Sequence, residues 1–142
     1  MKIQQATQAD LKNIVSLNKL FHLNIPGFRW DTEPWISDEI EQGNFHILKH
    51  QKSAYGAVCL HLATEAYIET IAVDKEKQGQ GHGKKLIDFC AEEAMKHGKH
   101  KLVVESFCEY KLEDFYTKCG FELESIKGNL NDHPYNVFSK EF

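Results

Sequence analysis

Nothing in these 142 residues stays apolar long enough to cross a bilayer, and Met1 to Thr7 has no hydrophobic h-region, so neither a membrane span nor a secretory leader is expected. Positive charge is not in excess. Lys and Arg number 17 against 21 Asp and Glu, and the formal net charge of −4 argues against steering of the whole surface to nucleic acid or anionic membrane. Cysteine is sparse and unpatterned: Cys59, Cys90, Cys108 and Cys119 have no ligand-like spacing, and each lies in a predicted element or beside an apolar run. Reduced core thiols and no metal are expected. Internal repeats and low-complexity segments are also missing. What remains is ordinary globular composition, 42% hydrophobic and 27% charged. A chain of this length buries roughly 68 to 70% of its unfolded surface. One domain over 1–142, in the cytoplasm, is the expectation.

The stretch from Tyr67 to Gly98 organises the chain. Tyr67 to Val73 reads as a strand and Asp74 to Lys77 as a polar turn; Gln78-Gly-Gln-Gly-His-Gly83 then opens into a helical pattern from Lys84. Leu86, Ile87, Cys90, Ala91, Ala94 and Met95 form its apolar stripe, closing at Gly98. Strand, glycine loop and helix N-terminus make an anion-binding layout, because glycines let backbone approach a ligand and the first helical N–H groups are free. Lys75, Lys77, Lys84 and Lys85 outnumber Asp74 and Glu76 around the loop, so this segment is locally positive. A Walker A loop is excluded by Gln78 and Lys85, where it needs Gly and Ser or Thr. A dinucleotide fingerprint from Gly79 lacks its third glycine at Lys84, although Glu105 stands about 20 residues on, where a ribose-binding acid belongs.

Taken in order, Lys2 to Ala6 reads as a strand, and Thr7 with Asp10 is a capping-box signature for a helix through Leu11, Ile14, Val15 and Leu17. An aromatic, irregular segment, Asn24 to Trp30, precedes a second helix from Thr32 to Gly43. Phe45 to Lys49 and Ala54 to Leu62 form a hairpin. After the central helix come a strand at Lys101 to Ser106, a helix at Glu109 to Cys119, and strands at Phe121 to Ile126 and Tyr135 to Ser139 joined by a loop over 127–134. The order β-α-α-β-β-β-α-β-α-β-β, seven strands with four helices, is of the α/β class.

Two motifs carry a resemblance. Gln78, Gly81 and Gly83 match (Gln/Arg)-x-x-Gly-x-(Gly/Ala), the acetyl-CoA loop of the GNAT superfamily of N-acetyltransferases, and Ile71-Ala-Val-Asp74 is similar to that family's strand ending. Phe115-Tyr-Thr-Lys-Cys-Gly-Phe121 resembles its (Leu/Phe)-Tyr-x-x-x-Gly-Phe signature. The resemblance covers the whole chain. It implies the GNAT fold, an α+β mixed sheet, and acetyl transfer from acetyl-CoA to a primary amine. It places pyrophosphate on the backbone of Gln78, Gly79, Gln80, Gly81, His82, Gly83 and Lys84, and pantetheine along Ile71, Ala72 and Val73, with the Val73 N–H polarising the thioester carbonyl. At Glu109 the family commonly has Asn, which donates to pantetheine; a carboxylate only accepts, so either the cofactor geometry is weakened or Ser106 supplies the contact.

Acetyl transfer needs a neutral amine and a protonated leaving thiolate. Lys-like amines have a pKa of about 10.4 and α-amines about 8, so a base is required at neutral pH. Glu69 is the candidate, by its strand parity with Ile71 and Val73 and by the family's placement of this strand end beside the thioester; the residues alone equally allow a structural ion pair with lysine. Tyr116 is implied as the acid, against its reading as a packed ring. The partners implied are a small-molecule or peptide amine acceptor and, as an option, a second copy in a homodimer, with neither nucleic acid nor membrane. The acceptor pocket is expected between residues 24–35, the end of strand four and the loop over 127–134. A non-catalytic acyl-CoA-binding module shares every loop feature and differs only in the roles of Tyr116 and Glu69.

Overall fold

The computed structural model describes the backbone of residues 1–142 and every side chain outside residues 125–127. Its elements are β1 (Lys2–Gln5), α1 (Leu11–Lys19), α2 (Glu33–Glu41), β2 (Phe45–His50), β3 (Ser53–His61), β4 (Ala66–Val73), α3 (His82–Lys96), β5 (Lys101–Phe107), α4 (Glu113–Lys118), β6 (Glu122–Leu130) and β7 (His133–Glu141). One sheet holds all seven strands in the order β1-β2-β3-β4-β5-β7-β6. Every pairing is antiparallel except β4 with β5. None of the helices among the described residues is long and apolar enough to cross a membrane.

Strand alternation gives the sheet two apolar faces, and a helix pair covers each. Along β3, Val58 and Leu60 join Ile68, Leu86, Ile87 and Cys90 beneath α3 and α4, while Ala57 and Cys59 join Ile14, Ile36 and Phe45 beneath α1 and α2. Asp10 ties α1 to the sheet, accepting from the Thr7 N–H at 2.9 Å and pairing with Lys49 at 2.6 Å. Burial alone would raise its carboxyl, but Lys49 and the Thr7 N–H hold it below the ordinary value.

The functional feature of this sheet is an interruption. β4 and β5 pair only from Ala66 with Leu102 to Ile68 with Val104. Beyond that point each follows its outer neighbour, β4 to Val73 opposite Gly56 and β5 to Phe107 opposite Tyr135. A β-bulge falls at the same place: Cys59 pairs with Thr70 and Leu60 with Ile68, so Glu69 is the extra residue. The strands therefore part from the level of Glu69 and Glu105. Ile68 closes the apex with no exposed surface. Ile68→Ala should cost about 2 to 5 kcal/mol in urea unfolding; a loss near zero would show that the apex is not a packed core position.

Three expectations change. Parity counted from Glu69 puts it on the side of Ile71 and Val73, but the bulge switches faces: Ile68, Ile71 and Val73 pack in one cluster, while Glu69 is bonded to Trp30. The apolar spacing over 109–119 predicts one helix, yet Cys108–Tyr110 forms a 3-10 turn and α4 begins only at Glu113, because Lys111 is left-handed at φ 54°. The segment 127–134 is not an open loop. β6 runs to Leu130 and β7 starts at His133, joined by Asn131 and Asp132 at φ 48° and 69°, the two-residue turn that suits the twist of a hairpin.

Candidate active site

From Val73 the chain turns through Asp74, whose carboxylate accepts from the Glu76 N–H at 3.2 Å, and a 3-10 turn at Lys75–Lys77. Gln78 Nε2 donates to the Val73 carbonyl at 3.0 Å, binding the loop back to the strand end. Gly79 and Gly81 have φ of 77° and 87°, conformations that L side chains rarely adopt. A Cβ on either would meet nothing within 4 Å, so both face open space. α3 starts at His82, two residues before the apolar spacing suggests, and among the described residues no side chain caps its N-terminus. The backbone groups there fit an anion such as a pyrophosphate. Gly83 is different: a Cβ would lie 2.9 Å from the Phe115 ring. The loop is thus packed directly against α4.

Phe115's neighbour Tyr116 lines a cavity of about 530 Å³ in the gap between β4 and β5. Glu69, Thr70 and Ile71 form one wall and Val104, Glu105, Ser106 and Phe107 the other. Phe28, Arg29 and Trp30 from the irregular aromatic segment, and Asn129 and Leu130 from β6, close it. This is the union of segments expected to hold an acceptor, although Trp35 packs on Phe45 in the core at 5.9 Å instead.

Tyr116 is 2% exposed, with Phe138, Phe115 and Phe121 ring centroids at 4.9, 5.0 and 5.6 Å. Its hydroxyl has no hydrogen-bond partner among the described residues, and burial raises it, keeping it protonated. Glu69 accepts from Trp30 Nε1 at 2.9 Å and lies 3.9 Å from the Arg29 guanidinium, which itself sits 4.7 Å over the Trp30 ring. Its partners come from the aromatic segment and not from a lysine. Glu109 does not line the cavity: His133 occupies its carboxylate, and Ser106 stands at the wall instead. Ala72, Val73 and the loop from Gln78 to Lys84 do not line the cavity; Ala72 packs with Ile14 and Ile36 beneath α1 and α2, and Gly83 lies against Phe115.

Several lining residues were not singled out by any motif. Asn18 donates from Nδ2 to the Trp30 carbonyl at 2.8 Å, and Tyr67 donates to Glu105 Oε1 at 2.8 Å. Tyr67 is raised by burial and by that carboxylate. Only tertiary contact brings these residues together, and no local spacing announces it. The same holds for Glu39, Cys59 and His61, whose ligand-type atoms lie within 4.8 Å of one another under α2, away from the cavity. His61 Nε2 is 2.6 Å from Glu39 Oε1 there, while burial raises the Cys59 thiol and holds it protonated.

The sequence of this chain matches the model of the Acetyltransferase (GNAT) family over residues 14–121. It is 30% identical over 64 residues to Glucosamine 6-phosphate N-acetyltransferase 1 of Oryza sativa subsp. japonica, covering 45% of this chain and 38% of that protein. The Arabidopsis thaliana Glucosamine 6-phosphate N-acetyltransferase is 33% identical over 61 residues, 43% of this chain and 40% of its own length. These alignments span about two fifths of the relatives. Among solved structures, Ard1 from Thermoplasma volcanium superposes with a TM-score of 0.82 at 17% identity, covering 99% of this chain and 96% of that one. N-acetylglutamate synthase from Neisseria gonorrhoeae, complexed with coenzyme A and N-acetyl-glutamate, gives 0.80 at 20% identity, over 99% of this chain and 34% of that one. At such identities the likeness is one of fold. Together with a family match over well more than half the chain, it shows that this protein belongs to the acetyltransferase (GNAT) family.

Proposed function

We propose that the chain is an N-acetyltransferase that moves the acetyl group of acetyl-CoA to a primary amine, using Glu69 as base and Tyr116 as acid. One observation carries this reading: the parted strands bring Glu69 and Tyr116 to one cavity, and Phe115, the residue before Tyr116, packs on the glycine loop. Acetyl-CoA would lie with its pyrophosphate on the loop and the start of α3 and its pantetheine along β4 at Ile71 to Val73. Bound there, it supplies an activated thioester. Glu69 takes a proton from the incoming ammonium, directly or through water, while Trp30 Nε1 and Arg29 hold the carboxylate in place. The neutral amine attacks the carbonyl, whose oxygen the Val73 N–H polarises. As the carbon–sulfur bond breaks, the Tyr116 hydroxyl donates to the sulfur to give the CoA thiol, and the proton that the new amide nitrogen must lose restores the Tyr116 hydroxyl, directly or through water, while Glu69 returns its proton to solvent. Burial raises Tyr116, so a free phenolate is disfavoured and the donation stays coupled to bond breaking. We read residues 1–142 as one domain, supported by a single sheet from Lys2 to Glu141, and place it in the cytoplasm, where four free cysteines are at home.

The non-catalytic acyl-CoA-binding reading draws on the close ring packing of Tyr116. A thermal-shift panel of acetyl-CoA, CoA, NAD and ATP separates it from nucleotide binding, since a ligand of the native state alone raises stability by RT ln(1 + [L]/Kd). Free-thiol release with a panel of primary amines then separates enzyme from sensor. Within that assay Glu69→Gln should leave acetyl-CoA affinity intact. It should lower turnover most below the acceptor's pKa, the loss shrinking as pH rises and the amine deprotonates unaided. A pH-independent loss would return Glu69 to a structural role.

A further inference from the structure

Resting on the transferase reading, we infer that the acceptor is a small α,ω-diamine or polyamine, whose reacting nitrogen meets Glu69 and whose second, cationic nitrogen is held by Glu105. The two carboxylates stand one residue past the last paired residues, Ile68 and Val104, on the two parting strands, and both line the cavity. Glu69 has Arg29 for company. Glu105 does not: among the described residues its partner is the neutral Tyr67 hydroxyl, and no Lys, Arg or His lies within ion-pair distance. A carboxylate in a half-enclosed apolar cavity is costly unless a cation meets it.

A second observation is independent of charge. Asn18 is 4% exposed and lines the cavity, and its Oδ1 has no hydrogen-bond partner. Because Nδ2 must be the atom that donates to the Trp30 carbonyl, the amide's orientation is set, and the unpaired atom is an acceptor. Thr70 Oγ1, also on the wall, is buried and unpartnered. Asn18 Oδ1 can only accept and Thr70 Oγ1 can accept or donate, so the buried wall carries unmet hydrogen-bonding capacity that a ligand rich in N–H donors would satisfy.

Its rings suit the same guest. Phe107 makes edge contacts with Trp30, Tyr110 and Tyr135 at centroid separations of 6.3, 5.7 and 6.1 Å, lining the space beside Glu105 with π faces and alkyl-binding surface. Among the described residues Arg29 is the one cation on the wall, and it is already stacked on Trp30 beside Glu69. A carboxylate or phosphate on the acceptor would meet two carboxylates and an engaged guanidinium. The volume of about 530 Å³ matches a small molecule.

Three acceptors that share an aminobutyl chain and differ in the group at its far end test this: 1,4-diaminobutane, 1-aminopentane and 5-aminopentanoate, compared by kcat/KM at saturating acetyl-CoA. The diamine should lead and the amino acid should trail. Glu105→Gln, which keeps an acceptor for Tyr67, should lower the diamine-to-monoamine ratio about tenfold or more, the scale of one charged hydrogen bond. Calorimetric binding of 1,4-diaminobutane to the CoA-loaded protein should weaken by the same factor. An unchanged ratio in folded Glu105→Gln, or an amino acid used as well as the diamine, overturns the inference. If the diamine binds through Glu105 but no amine is acetylated, the cation site stands and the transferase reading fails. If monoamines react and the diamine neither binds nor reacts, the reverse holds.

Discussion

Tyr116→Phe should lower kcat about 10²- to 10⁴-fold, the usual cost of a positioned general acid, while acetyl-CoA affinity moves little. The structure makes this substitution unusually clean. The hydroxyl has no protein hydrogen bond among the described residues, so deleting it breaks none and should change stability by less than about 1 kcal/mol. The ring contacts with Phe115, Phe121 and Phe138 all remain. A structural tyrosine would show the opposite pattern, with lost stability and unchanged turnover. Free-thiol release on the best acceptor, read beside an unfolding curve, distinguishes the two. Parent-level activity in Tyr116→Phe would remove the hydroxyl from the mechanism.

How far the chain could be read before folding depends on what each feature consists of. The order of strands and helices follows from apolar period alone, which is why seven strands and four helices are legible from Ile3 to Phe138. The glycine loop is legible because its function resides in backbone, and Gly79 and Gly81 announce positive φ by having no side chain. Glu69 is harder. Its residue type and strand are readable, but its direction depends on a bulge that exists only in the pairing of Cys59 with Thr70 and Leu60 with Ile68. Glu105, Asn18 and Tyr67 are harder still, because they become a site only where β4 leaves β5, and a missing pairing writes no pattern into either strand. The turn at Asn131 and Asp132 is legible in principle, since both residue types tolerate left-handed backbone, but the stretch from Lys127 to His133, polar or Gly except for Leu130, resembles an open loop equally well.

Gly83→Val should abolish measurable acetyl-CoA binding, and the cause differs from that in Gly81→Val. At Gly81 the obstacle is conformational: φ is 87° with open space around it, so a β-branched residue costs about 1 to 2 kcal/mol of backbone strain, roughly five- to thirtyfold in affinity. Gly83 is free of that strain, since it lies within the first turn of α3 and its φ is not positive. There the obstacle is Phe115, whose Cε1 and Cζ would sit 2.9 Å from the new Cβ. The ring's centroid is 5.0 Å from that of Tyr116, so pushing it aside disturbs the proposed acid as well as tilting the helix end that would bind the pyrophosphate. Even Gly83→Ala should therefore weaken both cofactor affinity and kcat, whereas Gly81→Ala should weaken affinity alone. Trimming the obstruction should help only the former: Phe115→Leu in the Gly83→Ala background is expected to recover part of the affinity, and in the Gly81→Ala background none. A folded Gly83→Val protein that binds acetyl-CoA like the parent would sink the loop assignment, and equal responses of both glycine variants to Phe115→Leu would show that the contact between α3 and α4 does not set the site.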